Sequence, residues 1–156
     1  MSVADRLKAL GVVLPRPAAP VANYVGAVRT GNLVVVSGQL PFGPDGKISP
    51  AHVGKLHPGV AIDGARDAAK ICAINVLAQL QALVGDLEMV ARVVRLGGFF
   101  AVEGGHDGLP AAMNGASDLM AQVFGERGRH TRTTVGVAHL PLDVTCEVEG
   151  LFEIAP

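Results

Sequence analysis

The sequence has few aromatic residues and few charges. It contains no tryptophan and a single tyrosine, Tyr24, so it lacks the aromatic platform on which nucleic-acid bases stack. Charged residues make up 17% of the chain and the formal net charge is -1, which gives no general field for holding a polyanion. The nearest basic cluster comprises Arg127, Arg129, His130 and Arg132. This cluster suits one small anion better than a strand of RNA, so we expect no nucleic-acid partner.

Cysteines and long apolar runs are also scarce. The two cysteines, Cys72 and Cys146, lie in apolar patterns, and we expect buried, reduced thiols there, because desolvation raises a thiol's pKa and makes it inert. None of the five histidines has a zinc-ligand spacing, so no metal site is expected. The N-terminus lacks the apolar stretch of a signal peptide, and no run approaches membrane-spanning length. We therefore expect a soluble, cytoplasmic protein without a membrane partner.

Apolar residues, by contrast, are abundant. They make up 49% of a chain of 156 residues and 16.0 kDa. This length suits one domain, 1–156, in which residues 1–19 supply an N-terminal helix and a connector. A small protein has much surface for its volume, so the surplus predicts an apolar interface between subunits. We expect a homo-oligomer.

Hydrophobic patterning predicts a short N-terminal helix followed by the order β-β-α-β-α-β-β. The predicted elements are a helix from Ser2 to Leu10, a hairpin with strands Tyr24–Arg29 and Leu33–Ser37, a helix from Ile62 to Leu83, a strand from Val90 to Val102, a helix opened by Asp107 and Pro110 and ended by Gly125, and strands Thr131–His139 and Val144–Ile154. Residues 42–59 are predicted to form a long surface loop. This order suits an α+β fold with a single mixed or antiparallel sheet and two long helices on one face. The other face would be bare in a monomer, which again predicts contact between copies.

Arg132 is the leading candidate for a functional residue. Alternation along its strand places it beside Thr134 and Gly136, which leave room for the guanidinium. A guanidinium can bind a carboxylate through two parallel hydrogen bonds. Alternation in the next strand turns Glu147 and Glu149 away from the apolar side, so either could stand near Arg132. On pattern alone, a cross-strand salt bridge is the favoured interpretation.

Two motifs resemble those of the RidA/YjgF family. The segment R-T-T-V-G-V-A-H-L-P-L-D-V-T-C-E-V-E-G, from Arg132 to Gly150, is similar to its C-terminal signature R-[ST]-x-V-x-V-x-x-L-P, which is followed by a strand reading E-[IV]-E. The hairpin from Asn23 to Pro41, with N-Y-V-G-A-V and G-N-L-V-V-V-S-G-Q-L-P, supports the resemblance. Names used for this family also include translation initiation inhibitor and endoribonuclease L-PSP. The chain is longer than compact members and resembles the longer, chorismate-mutase-like branch.

The resemblance implies a function and an assembly. Family members hydrolyse reactive 2-imino or enamine acids to 2-oxo acids and ammonia, without a metal or organic cofactor. They form homotrimers with a chorismate-mutase-like fold and a site in each cleft between subunits. The expected ligand is therefore a small metabolite that bears a carboxylate.

The resemblance also implies roles for individual residues. By this likeness Arg132 holds the substrate carboxylate, and Glu147 positions or activates the attacking water. Tyr24 lies over the substrate, while Ser37 and Gly38 line the pocket. Asn114 matches an asparagine of the family's second helix across a one-residue gap, and Thr134 stands in the pocket where members often have a cysteine.

Two other functions stay open. The same cleft could hold a 2-oxo acid in a non-catalytic binding protein, since both functions need Arg132. An endoribonuclease or translation inhibitor could use His130 and His139 as acid and base. We expect both histidines on the strand face opposite Arg132, with no basic track for RNA.

Overall fold

The structure is a computed structural model that describes residues 1–20 and 22–156. Its helices and strands are α1 (Val3–Ala9), β1 (Ala27–Thr30), β2 (Leu33–Gln39), α2 (Asp63–Val84), β3 (Val90–Ala101), α3 (Leu109–Phe124), β4 (Thr131–Val137) and β5 (Cys146–Ile154). The five strands form one sheet in the order β1-β2-β5-β3-β4. β3 and β4 are parallel and the other neighbours are antiparallel. The predicted fold class, a mixed α+β sheet with a short N-terminal helix, is confirmed.

Both long helices pack on one face of the sheet and form the main hydrophobic core with it. Val34, Val148 and Phe152 of the sheet are buried against these helices. The helices contact each other closely where Gly115 of α3 meets the main chain of α2, because a Cβ at Gly115 would overlap the carbonyl oxygen of Arg66. A glycine is therefore required where α2 and α3 cross.

Helix α2 qualifies the expectation that no segment reaches membrane-spanning length. By length and composition alone this helix is long and apolar enough to cross a membrane. Its apolar residues Cys72, Val76, Leu77 and Leu80 are nevertheless completely buried in the core. Burial on the sheet and against α3 accounts for its apolar character.

The N-terminal helix is confirmed, with Ser2 as its N-cap. The Ser2 hydroxyl accepts a hydrogen bond from the Asp5 amide, and the Asp5 carboxylate bonds the Ser2 amide in return. Val3 and Leu7 are buried in the main core. The helix therefore packs on the same core as α2 and α3.

Residues 42–59 form the predicted loop, but the loop is anchored at several points. Isolated β-bridges join Phe42 to Ile48, Val53 to Val144 and Leu56 to Val102. His52 and Leu56 are only 4% and 5% exposed. The segment is therefore a loop without strands and with mostly exposed residues, as predicted, but it is anchored to chain next to β3 and β5. Its glycines and prolines mark turns between anchored points, and composition alone does not distinguish these from a free loop.

The sheet face away from the helices is uncovered within the described chain. Val28, Leu33, Val35 and Val135 lie on this open face, exposed by 52%, 40%, 49% and 39%. Val28 pairs directly with Val35, so the apolar residues of β1 and β2 adjoin each other, and exposed apolar groups of this kind mark interaction surfaces. The predicted bare face is therefore present in the protomer, and the homo-oligomer that it suggests stays a prediction.

Candidate functional site

Arg132 lies on the edge strand β4 and faces helix α3. The register pairs it with Leu96, which is completely buried, so its side chain is on the helix side of the sheet. Its Nη1 donates to Asn114 Oδ1 at 2.8 Å and to Ser117 Oγ at 3.0 Å. Its Nη2 donates to the carbonyl oxygen of Pro110 at 2.9 Å. Helix α3 thus supplies all three acceptors.

These contacts leave the half-buried Arg132 without a counter-ion. Across residues 1–20 and 22–156, no carboxylate oxygen lies within 4.0 Å of its guanidinium. The acceptors are neutral and use three of the five N–H donors of a guanidinium. The remaining donors can bind an anion. The prediction of a cross-strand salt bridge is therefore wrong.

A histidine extends this cluster through a serine hydroxyl. His130 Nδ1 lies 2.6 Å from the Gly128 carbonyl oxygen, and its Nε2 lies 2.9 Å from Ser117 Oγ. A carbonyl can only accept, so in a neutral ring Nδ1 donates and Nε2 accepts from the hydroxyl. Burial, together with the charge of Arg132, holds the pKa of His130 below its usual value. His130 and Arg132 both lie on the helix side of the sheet, so the expectation that His130 lies on the opposite face is wrong. The reason is that residues two positions apart in an extended chain point to the same face.

Thr134 follows Arg132 on the same side of β4. It pairs with Gly98 in the register of the parallel strands. Its Oγ1 is buried and has no hydrogen-bond partner among the residues that the structure describes. An unpaired buried hydroxyl is uncommon and costs free energy. Thr134 therefore lies next to Arg132, with its hydroxyl shielded from solvent in the protomer.

Glu147 lies on the other face of the sheet. Its neighbours Cys146 and Val148 point into the core, so Glu147 points to the open face. It pairs with Phe99 of β3, and Glu149 pairs with Gly97. Strand β3 separates β5 from β4, and Arg132 points to the opposite face. Neither glutamate therefore stands near Arg132 of the same chain, contrary to the expectation from alternation.

The Glu147 carboxyl is suited to hold or accept a proton. Burial raises its pKa, and the nearby Glu149 carboxylate raises it further. A Cβ on Gly38 would overlap this carboxyl group. The carboxyl therefore occupies the space above Gly38, so these two predicted site residues are in contact.

Tyr24 and Gly38 line a cavity of about 200 Å³ beside β2. Its other walls are Ala18, Ala19, Pro20, Gly26, Gln39, Leu40, Phe42, Gln79, Pro141 and Leu142. Ser37 is not part of this lining, because its hydroxyl donates to the Val25 carbonyl at 2.8 Å and holds the hairpin. Tyr24 is 49% exposed at the cavity.

Sequence reasoning missed the two glutamines of this cavity. Gln79 Nε2 donates to the Ala18 carbonyl at 2.8 Å and to Gln39 Oε1 at 3.3 Å. Both side chains are less than a tenth exposed. The available signal in the sequence was Gln79, a polar residue within the apolar pattern of the long helix. In the structure Gly26 leaves room for it, because a Cβ on Gly26 would overlap the Gln79 amide.

The predicted site residues thus form two separate groups in one protomer. Arg132, Asn114 and Thr134 lie at β4 and α3. Tyr24 and Gly38 line the cavity beside β2, Glu147 lies on β5, and β3 lies between the groups. A ligand that contacts both groups therefore requires a second copy of the chain or a different arrangement of the first.

The remaining histidines do not form an acid–base pair with His130. The His139 side chain is 67% exposed and lies 3.8 Å from Asp143. His52 is buried, with Nε2 2.8 Å from Asp67 Oδ2. In the described part of the chain, no group of three or more His, Cys, Asp and Glu side chains could hold a metal ion.

Both cysteines are buried and unpaired, as predicted. The Cys72 thiol donates to the Cys146 carbonyl oxygen at 3.5 Å. Burial raises the pKa of Cys72 well above its usual value, and the adjacent Cys146 thiol adds to this. A thiol in this state is a poor nucleophile.

The mixed sheet with two helices on one face defines a chorismate-mutase-like architecture. A sequence profile of the family described as "YjgF/chorismate mutase-like, putative endoribonuclease" matches residues 4–154. The chain therefore belongs to this family, and the resemblance found in its motifs is confirmed.

Three relatives support the same conclusion. Protein TCP17 of Trypanosoma cruzi is 42% identical over 153 residues, which cover 97% of this chain and 94% of the relative. A "putative endoribonuclease" from Shewanella oneidensis MR-1 is 31% identical, with a TM-score of 0.92 over 99% of this chain and 100% of the other. TdcF of E. coli, solved with bound serine, is 25% identical, with a TM-score of 0.62 over 90% and 94% of the two chains.

Proposed function

We propose that this protein hydrolyses reactive 2-imino or enamine acids to 2-oxo acids and ammonia. The site would lie in the clefts of a homotrimer, with Arg132 and Asn114 from one subunit and Glu147, Tyr24 and Gly38 from the next. No cofactor takes part in this proposal. The ligand class is a small metabolite with a carboxylate next to a C=N bond.

The observation that carries the proposal is the environment of Arg132. A half-buried guanidinium that has no carboxylate partner in the described part of the chain, and that neutral acceptors hold at Nη1 and Nη2, is prepared for an anionic ligand. Its pre-set geometry reduces the entropy that binding would otherwise cost. The serine bound to E. coli TdcF supports a ligand of amino-acid size.

Glu147 supports hydrolysis rather than binding alone. A carboxyl group with a raised pKa is a suitable general acid and base near neutral pH. In the proposed reaction, Glu147 takes a proton from water as the oxygen bonds to the imine carbon. It passes this proton to nitrogen, then takes the remaining proton of the new hydroxyl and passes it to nitrogen as well, so that the C–N bond breaks and releases ammonia and the 2-oxo acid.

The separation of the two groups supports a site between subunits. Arg132 lies by the edge strand β4, while Glu147 lies beside an open face that carries Val28, Val35 and Val135. Burial of this face against a neighbouring copy would cover its apolar side chains. The same packing could bring the β4 edge of one copy to the Glu147 region of another.

The experiment measures ammonia and 2-oxo acid release from imines generated in situ by an amino-acid oxidase. Wild type is expected to accelerate release, and Arg132→Ala to lose at least about 100-fold in kcat/KM, because removal of a charged binding group costs about 3 kcal/mol or more. Arg129→Ala is the matched control, since that arginine is 79% exposed. Its activity should equal that of wild type.

Two results would contradict the proposal. Equal activity of Arg132→Ala and wild type would remove Arg132 from the site. Binding of 2-oxo acids by wild type, without acceleration of any imine hydrolysis, would instead indicate a non-catalytic metabolite-binding protein.

A further inference from the structure

A chain of hydrogen bonds with a defined direction leads from the backbone after α3 to Arg132. His130 Nδ1 donates to the Gly128 carbonyl at 2.6 Å, and Nε2 is 2.9 Å from Ser117 Oγ. Ser117 Oγ also accepts from Arg132 Nη1 at 3.0 Å. Because a serine hydroxyl has one proton, the neutral histidine receives that proton and leaves a lone pair for the arginine.

We propose that His130 and Ser117 are positioning residues, which fix the guanidinium of Arg132 in the orientation that binds the substrate carboxylate. This inference rests on the proposed function, because it assigns the carboxylate to Arg132. It gives a role to Ser117, which sequence reasoning did not name, and a new role to His130, which sequence reasoning named only in a basic cluster and as a candidate acid or base of a ribonuclease.

The position of Ser117 within a helix explains why a histidine is needed. A serine inside a helix commonly turns its hydroxyl back to the carbonyl four residues earlier, which here belongs to Met113. His130 offers another acceptor outside the helix. By taking the proton, it directs the Ser117 lone pair towards Arg132.

The protonation state of His130 agrees with this role. A neutral ring can accept at Nε2, whereas a protonated ring would donate there and place a second cation near Arg132. Burial and the Arg132 charge lower the pKa of His130, so the accepting form predominates at neutral pH. The proposal itself depends on the geometry of the hydrogen bonds.

The consequence for the site is restraint of the guanidinium. Asn114 and Ser117 lie three residues apart, on one side of α3, and together engage Nη1. The Pro110 carbonyl engages Nη2. If Ser117 turns away, Nη1 loses one of its two acceptors and the guanidinium can rotate. A carboxylate ligand then has to order it on binding.

The test is a double-mutant cycle on the chain in its native assembly. Ser117→Ala, His130→Leu and the double variant are compared with wild type for pyruvate affinity, measured by calorimetry, and for kcat and KM with in situ imines. Each single variant should weaken pyruvate binding and raise KM about 5-fold, with kcat changed less than 2-fold. The double variant should be no worse than either single one, because all three break the same connection.

His130→Gln separates positioning from general structural damage. The Gln amide oxygen can accept from Ser117 as Nε2 does, so this variant should keep KM within 2-fold of wild type. Equal KM values for wild type, Ser117→Ala and His130→Leu would overturn the inference, as would full additivity in the double variant or a His130→Gln variant as weak as His130→Leu.

Failure of the positioning role can be distinguished from failure of the proposed function. If Arg132→Ala loses activity while Ser117→Ala and His130→Leu do not, only the positioning role is wrong. If Arg132→Ala is fully active, the proposed function fails, and the positioning role fails with it.

Discussion

At the scale of single residues, ordinary side chains are held in unusual environments. Arg132 is partly buried with neutral partners, the Thr134 hydroxyl has no partner within residues 1–20 and 22–156, and Glu147 has a raised pKa. Each arrangement costs folding free energy and is more often found at binding sites than elsewhere. Sequence reasoning identified these three positions through the family motifs. It missed the connection between Ser117 and His130, because neither residue is part of a motif.

A prediction at this scale concerns the stability cost of Glu147. Burial and Glu149 raise its pKa in the folded state above the usual 4.5. The folded protein therefore binds this proton more tightly than the unfolded chain. The resulting stabilisation is complete below about pH 4.5 and is lost as pH rises through the folded-state pKa. At neutral pH, ionised Glu147 is unfavourable.

Glu147→Gln should therefore stabilise the protein at pH 7 while it lowers turnover. The gain should be less than about 1 kcal/mol, since the partly exposed carboxylate is screened by water, and it should shrink as pH falls towards 4. Urea denaturation across this pH range measures it, with Glu153→Gln on the same strand face as the control. A Gln variant less stable than wild type at pH 7 would show that the carboxylate makes favourable contacts in the assembly.

At the scale of elements, the sequence predicted the helices and strands because each has a clear hydrophobic period and clear end signals. Ser2 begins α1 and Gly125 ends α3, as expected from capping preferences. Residues 42–59 were predicted less well, because their pairing with chain near Val102 and Val144 is long-range. The position of Glu147 relative to Arg132 could not be predicted for the same reason. Alternation shows which residues of one strand share a face, but strand order and register decide which residues of different strands lie close together.

A prediction at this scale tests the contact between α2 and α3. Ala is the better helix former, so Gly115→Ala in an isolated helix would gain about 1 kcal/mol. Here its Cβ would overlap the Arg66 carbonyl oxygen, which belongs to the main chain of α2. We expect a net loss of about 1–3 kcal/mol, a decrease of roughly 2–10 °C in Tm.

Thermal unfolding followed by circular dichroism measures this loss. Gly105→Ala is the matched control, because a Cβ there meets nothing within 4 Å. Its Tm should stay within about 2 °C of wild type, the range of an ordinary surface substitution. If Gly115→Ala were as stable as this control, the helices would be able to separate without cost, and their close crossing would not constrain the position of α3.

At the scale of the whole molecule, the separation of Arg132 from Glu147 is the central feature. The sequence predicted both residues, but not that one sheet separates them. A site built from both requires either a rearranged protomer or a second copy of the chain, and the exposed apolar residues of the open face favour the second copy. These observations connect the proposed activity to assembly, since neither group alone could bind a carboxylate and activate water next to it.

Subunit mixing tests this connection directly. In the trimer that we propose, a variant that lacks Arg132 still supplies Glu147, and a variant that lacks Glu147 still supplies Arg132. Any mixed ring then contains one intact site out of three, where an intact arginine meets an intact glutamate. About three quarters of randomly assembled rings are mixed, so the population should recover about one quarter of wild-type activity.

The experiment combines Arg132→Ala and Glu147→Ala chains by co-expression or joint refolding and measures imine hydrolysis. Each variant alone should be nearly inactive, and a mixture assembled without subunit exchange is the control. Recovery near one quarter requires that the two residues of a site come from different chains. If the mixture stays inactive although mixed rings are detected by native mass spectrometry, each site uses the two residues of one chain, and the protomer has to rearrange to bring them together.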